Sequence, residues 1–98
     1  MDAAAWVLTV VTGAAIALER DGVVLLPAYE FDEAGMPRAV IARVIAEFEG
    51  VYGNMGVAAF FESCSAFLDG ARPREIVERE PERVAAAAKF NADAVRYP

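Results

Sequence analysis

The sequence predicts a small α+β fold, with an N-terminal β-hairpin beside a mainly helical C-terminal region. Apolar, β-rich runs flank Asp21-Gly22, and this dipeptide favours a type I′ turn because both central residues of such a turn need positive φ. Apolar residues also recur at helical spacing after Pro37 and again after Asn54. That spacing is typical of amphipathic helices.

A chain of 98 residues predicts one domain, 1–98, with a modest core. We expect residues 1–36 to form helix and hairpin support and residues 37–98 to form the helical region. Alanine supplies much of the 57% hydrophobic content, so the core-forming volume is small. An apolar face left open would then favour homo- or hetero-oligomers.

The N-terminal elements are predicted from turn and cap residues. Asp2 is placed to cap a helix through about Val11, although the β-branched residues leave a strand as the alternative. The hairpin strands are expected within Ala14–Arg20 and Val23–Phe31, where Pro27 limits the second strand because it lacks an N–H.

The most regular helix is predicted to begin at Pro37 and to end at Gly50. Its polar side carries Arg43 and Glu47, which are expected to pair because they lie four residues apart. Asn54 is a candidate N-cap for the next helix. That helix is expected to place on one side Val57, Phe60, Phe61 and Cys64.

The C-terminal elements follow from turn and proline signals. Asp69-Gly70 predicts a turn, and Pro73 and Pro81 stand at plausible first positions of two further helices. The last helix is alanine-rich over 84–88, and an exposed polar and aromatic tail is expected to follow it. The predicted core consists of Ile41, Val44, Ile45, Phe48, Phe60, Phe61, Leu68, Ile76 and Val84.

Charge and chemistry limit the function classes. The net charge of −6 argues against DNA or RNA as the principal ligand and suits a basic protein partner. The chain has no histidine to act as a base or metal ligand, so neither an enzyme nor a usual zinc site is expected. Alternating acidic and basic residues over 72–83 predict a solvated, ion-paired helix face.

Compartment is predicted from the cysteine and from the uncharged run Ala3–Leu18. A secretory signal would begin with lysine or arginine, whereas this chain begins with Met1-Asp2, and the run falls short of a membrane span. We therefore expect no membrane association. The one cysteine, Cys64, is interpreted as a small buried hydrophobe in a reducing cytoplasm.

An ordered set of motifs in the C-terminal half resembles a known family. An aromatic pair is followed by LDGARP, then EIV, then RVAAAA and a short tail. This order resembles the C-terminal toxin-binding domain of the Xre/MbcA/ParS antitoxin family, and LLPAYEFDEAGMPR resembles the linker that many members carry before it. The structural motif consists of Phe60, Phe61, Leu68, Asp69, Gly70 and Pro73.

The resemblance implies a type II antitoxin whose partner is a cognate RES-domain toxin, a protein that consumes NAD⁺. In this family the C-terminal segment reaches into the toxin's active-site cleft, so the antitoxin binds no cofactor itself. The toxin-binding residues expected on this basis are Lys89, Asn91, Asp93, Val95, Arg96, Tyr97 and Pro98. Removal of 91–98 is expected to leave the fold intact, because a tail beyond the last helix makes few core contacts.

Two features depart from the family's pattern. Many members carry a helix-turn-helix region before the toxin-binding part, but too few residues precede the hairpin for such a module. Phenylalanine also stands where tryptophan is frequent. DNA binding is therefore doubtful, and two alternatives remain: a transcription-associated module with the hairpin as a wing, and a dimerisation domain without a toxin.

Overall fold

The computed structural model describes residues 13–98, so the element predicted between Asp2 and Val11 lies outside the described residues. Within them the small α+β fold is confirmed: a two-stranded hairpin precedes four α-helices and two short 3-10 helices. The elements are β1 (Leu18–Arg20), β2 (Val23–Leu25), a 3-10 helix (Ala28–Glu30), α1 (Ala39–Glu47), α2 (Asn54–Glu62), a 3-10 helix (Ala66–Leu68), α3 (Pro73–Ile76) and α4 (Pro81–Arg96).

The hairpin turns at the predicted dipeptide. Asp21 and Gly22 have φ values of 53° and 78°, as a type I′ turn requires. The antiparallel register pairs Leu18 with Leu25, and the strands are only three residues long. The second strand ends before Pro27, as predicted, since proline has no N–H to donate to the ladder.

Between the hairpin and α1 the chain folds back on itself. The Asp32 carboxylate accepts hydrogen bonds from the backbone N–H groups of Ala34 and Met36, at 2.9 and 3.0 Å. This closes a turn and lets Phe31 pair with Pro37 in an isolated antiparallel bridge. The prediction that Pro37 begins the helix is therefore wrong, because its backbone is used in that bridge and α1 begins at Ala39.

The core lies between α1, α2 and α4. Eight of the nine predicted core residues are buried, and the ninth, Ile45, is only partly buried and packs against the edge of the core. Aromatic rings link the layers, with ring centroids 5.1 Å apart for Phe48 and Phe60 and 4.7 Å apart for Tyr29 and Phe61. Helix α4 contributes small side chains to this core, namely Ala85, Ala87, Ala88 and Ala92.

Two residues around α2 differ from their predicted roles. Gly53 occupies the N-cap position, while the Asn54 side chain donates instead to the Ala17 carbonyl oxygen at 3.1 Å and so ties the hairpin segment to α2. Cys64 is exposed rather than buried. It is exposed because α2 ends at Glu62, so the apolar stripe of the helix does not continue to position 64.

Ion pairs join elements that are distant in sequence. Arg43 donates to both carboxylate oxygens of Glu82, at 2.7 and 3.0 Å, and so links α1 to α4. The predicted pairing of Arg43 with Glu47 is wrong, since a bidentate partner on α4 engages the guanidinium. These side chains are exposed, and exposed pairs of this kind contribute at most about 1 kcal/mol. No helix in residues 13–98 is long and apolar enough to cross a bilayer.

Replacing Phe61 by alanine should lower the free energy of unfolding by about 3–5 kcal/mol, because the substitution leaves a cavity in the core. Phe61 is fully buried, whereas Phe67 is 42% exposed. Phe67→Ala is therefore the matched control and should cost far less. Urea unfolding of the three proteins measures both effects, and equal stability of Phe61→Ala and wild type would contradict this description of the core.

Candidate functional site

Helix α4 runs through most of the segment that was predicted to be a tail. It continues to Arg96, so only Tyr97 and Pro98 lie beyond it. The sequence contains no glycine or proline between Pro81 and Pro98 to end the helix earlier, and Ala92 is fully buried in the core. The expectation of a tail with few core contacts is therefore wrong.

Arg96 links the end of α4 to the end of α1. One guanidinium nitrogen, Nη2, donates to the carbonyl oxygens of Glu47 and Glu49, each at 2.8 Å. The last carbonyl groups of a helix have no partners within it, so the cation satisfies acceptors that α1 leaves open. Arg96 thus makes contacts within the chain, and a partner would have to compete with them.

The other predicted toxin-binding residues lie on different sides of α4. Lys89 and Asp93 form an ion pair at 3.1 Å, and Arg96 follows on the same flank at helical spacing. The hydrogen bond to Asp93 raises the pKa of the Lys89 amine. Asn91 lies away from this flank and lines a groove. The structure therefore does not gather the predicted residues on one surface.

The groove lies between α2, the 63–68 loop and the C-terminal half of α4. It encloses about 510 Å³. No lining residue carries a formal charge at neutral pH. The lining consists of Tyr52, Gly56, Ala59, Phe60, Ser63, Cys64, Ser65, Ala66, Phe67, Ala87, Phe90, Asn91 and Ala94.

Three aromatic side chains of the groove are exposed to solvent. Phe90 is 62% exposed, Phe67 42% and Tyr52 41%, and the Phe67 and Phe90 ring centroids lie 5.2 Å apart. Near the end of α4, Val95 and Tyr97 are also exposed, at 49% and 76%. Exposed apolar patches mark interaction sites when they are large enough.

Sequence reasoning missed these three aromatic residues. One signal was present: Phe90 and Ala94 lie four residues apart, at helical spacing, and the structure leaves both of them exposed on α4. The position of Tyr52 depends on Gly56, because a Cβ there would lie 2.5 Å from the Cβ of Tyr52. Neither relation identifies a surface before the helices are packed.

The LDGARP turn positions one side of the groove. Asp69 and Gly70 have φ values of 57° and 88°, and the Ser65 carbonyl oxygen accepts hydrogen bonds from the N–H groups of Leu68 and Gly70. The Leu68 side chain is buried, which leaves its neighbour Phe67 facing Phe90. The motif residues thus have a structural role next to the groove.

The described residues offer binding surface rather than assembled reactive groups. Residues 13–98 contain no cluster of three potential metal-ligating side chains among His, Cys, Asp and Glu. Among the residues that line the groove, Tyr52 and Cys64 have titratable side chains. An uncharged groove with exposed aromatic rings is suited to an apolar protein surface.

No family model, curated protein or solved structure matches this chain.

Removal of residues 91–98 should lower the melting temperature, because it deletes the buried Ala92 and the Arg96 contacts with α1. The two hydrogen bonds of Arg96 are exposed to solvent, and a typical intramolecular hydrogen bond contributes about 0.5–1.5 kcal/mol net. Removal of 97–98 alone should leave the melting temperature unchanged, since both residues are exposed. Thermal unfolding followed by circular dichroism compares the two deletions, and equal melting temperatures would contradict the role of Ala92 and Arg96.

Proposed function

We propose that the chain is an antitoxin that binds a RES-domain NAD⁺-consuming toxin and covers its active site. The observation that carries this proposal is the uncharged groove beside the exposed end of α4, where Phe90 and Tyr97 are presented to solvent. The resemblance of the motifs to the toxin-binding domain of the Xre/MbcA/ParS family supplies the identity of the partner.

The composition of the surface supports a protein partner. Aromatic residues are enriched in protein interfaces and among the residues whose truncation costs the most affinity. Three aromatic side chains are exposed here. Phe90 lies on α4, Phe67 packs against Phe90, and Tyr97 directly follows the helix. The net charge of −6 would steer a basic partner towards the chain and disfavour phosphate backbones.

Occlusion requires a rigid element that enters the cleft of the toxin. A helix fixed to the core by Ala92 and Arg96 is such an element, because its last turn loses little conformational entropy on binding. Tyr97 and Pro98 extend beyond the helix and are exposed to solvent. Arg96 would act by holding this end in place through Glu47 and Glu49.

The proposed function also bears on the cofactor and on the compartment of the chain. The antitoxin needs no cofactor, because the toxin supplies the NAD⁺ chemistry and the bound antitoxin only denies access to it. Since RES-domain toxins act on NAD⁺ inside the cell, the site of action would be the cytoplasm, where the exposed Cys64 stays reduced.

Neutralisation should depend on Tyr97 and Phe90. Co-expression of the chain with its cognate toxin should rescue growth, and Tyr97→Ala and Phe90→Ala should each weaken the complex by about 2 kcal/mol, as for interface hot spots. Val23→Ala is the control, because Val23 is 56% exposed but lies on the hairpin. All three variants should have the same melting temperature as the wild type.

Growth assays measure neutralisation of the toxin, and binding measurements on the purified chain and toxin give the affinity of the complex. Full protection by the doubly substituted protein, Tyr97→Ala with Phe90→Ala, would exclude the groove and the end of α4 as the neutralising surface. Failure of the wild-type chain to form a complex with the toxin would exclude the antitoxin function itself.

Duplex DNA should not bind the isolated chain at physiological salt. The hairpin could serve as a wing only if its turn were basic, but Glu19 and Asp21 flank Arg20 there. Acidic groups at this position repel phosphates. Gel retardation with the chain's own promoter fragment measures this, and a sequence-specific shift would instead favour the transcription-associated module.

A further inference from the structure

A buried carboxyl group connects the hairpin segment to the core. Glu30, the last residue of the first 3-10 helix, has no exposed surface. Its Oε1 accepts a hydrogen bond of 2.7 Å from the backbone N–H of Ile16. Its Oε2 is buried and has no hydrogen-bond partner among the described residues. Sequence reasoning gave this side chain no role.

The segment that Glu30 holds leads directly into β1. Ala15 and Ile16 are each 2% exposed, and Ile16 belongs to the hydrophobic core, so this stretch is packed against the core. The neighbouring Ala17 carbonyl oxygen accepts the hydrogen bond from Asn54 at 3.1 Å, but that contact is exposed to solvent. Displacement of residues 14–17 would therefore bring water to Oε2 and, among the polar contacts within residues 13–98, would break chiefly the bonds to Glu30 and Asn54.

The two protonation states of Glu30 differ in what burial costs them. An ionised carboxylate without a cation or a second donor is strongly disfavoured in an apolar environment. A neutral carboxyl group keeps one oxygen to accept from Ile16 and leaves only one hydroxyl unpaired. The closed arrangement, in which residues 14–17 cover Glu30, therefore favours the neutral carboxyl group over the carboxylate.

The charged and titratable neighbours of Glu30 do not offset the free-energy cost of burying its ionised carboxylate. Arg38 donates through its backbone N–H to the Glu30 carbonyl oxygen and through Nε to the Tyr29 carbonyl oxygen, so its hydrogen bonds do not reach the carboxylate. Glu62 of α2 and Arg74 of α3 lie near Tyr29 and pair with each other at 2.9 Å. Burial and the negative charges of Glu30 and Glu62 raise the pKa of the Tyr29 hydroxyl.

We propose that Glu30 is a proton-dependent latch, which holds residues 14–17 and the attached hairpin against the helical core and releases them when its carboxyl group ionises. The proposal is independent of the toxin, because every contact in it lies within the chain.

The direction of the pH effect follows from the pKa of the closed state. Burial raises the pKa of Glu30 from 4.5 to about 7, and the hydrogen bond from Ile16 offsets only part of the rise. Below the pKa of the hydrated carboxyl group, Glu30 is protonated both when residues 14–17 are held against it and when they are displaced. The closed state is then at its most stable relative to the open state. As the pH rises from 4.5 through 7, the open state releases its proton first, so the opening equilibrium constant should rise about 70-fold between pH 5 and pH 8.

The test is amide hydrogen exchange at Ile16, followed by NMR and corrected for the intrinsic pH dependence of exchange. In the wild type, protection of this amide should fall about 70-fold between pH 5 and pH 8. In Glu30→Gln it should stay constant, because the amide side chain keeps an acceptor for Ile16 and cannot ionise. Exchange at Ile16 should also be insensitive to low urea, as in local opening, whereas exchange at Ala88 should depend on urea as in global unfolding.

Three results would overturn the latch. They are pH-independent protection of Ile16 in the wild type, the same pH dependence in Glu30→Gln, and a urea dependence at Ile16 equal to that at Ala88. If Glu30→Gln does not fold, titration of the Glu30 carboxyl carbon by ¹³C NMR in the wild type decides the matter. A midpoint close to 7 supports the latch, and a midpoint close to 4.5 excludes it.

Discussion

Close packing of α1 against α4 is the interaction on which the rest of the structure depends. Alanine side chains on α4 let the two helices approach closely, and the bidentate pair of Arg43 with Glu82 joins them near one end. Arg96 joins them near the other end through the carbonyl oxygens of Glu47, the last residue of α1, and of Glu49. Because contacts near both of its ends hold α4 against α1, one side of α4 is left to form the groove with α2. A mobile C-terminal tail could not define such a groove.

Features that depend on one or two adjacent residues could be predicted from the sequence. The turn at Asp21-Gly22 has the required positive φ values, and Pro73 and Pro81 stand at the first positions of α3 and α4. The apolar stripe of α1 also followed from its spacing, since periodicity determines which side of a helix is buried. These local rules were sufficient for the fold class and for most of the core.

Features that depend on distant partners could not be predicted in the same way. The length of α4 depends on burial of Ala92 and on carbonyl groups nearly fifty residues earlier in the sequence, so local sequence rules predict a tail for this polar stretch that ends in proline. Burial of Glu30 could not be predicted either, because a carboxylate in a short segment between Pro27 and Asp32 is normally solvated. For the candidate site the sequence pointed to the C-terminal helix but did not reveal the groove, since exposure of Phe90 is known only once α2 is in place.

The central claim is that the groove and the last turn of α4 form the surface that contacts a protein toxin. Hydrogen-exchange mass spectrometry of the chain alone and in complex with its cognate RES-domain toxin tests this claim most directly. The account predicts that slowed exchange is concentrated in the loop 63–68 and in residues 87–98, with the hairpin 18–25 unchanged. Slowed exchange confined to the hairpin, with the C-terminal half of α4 unaffected, would contradict it.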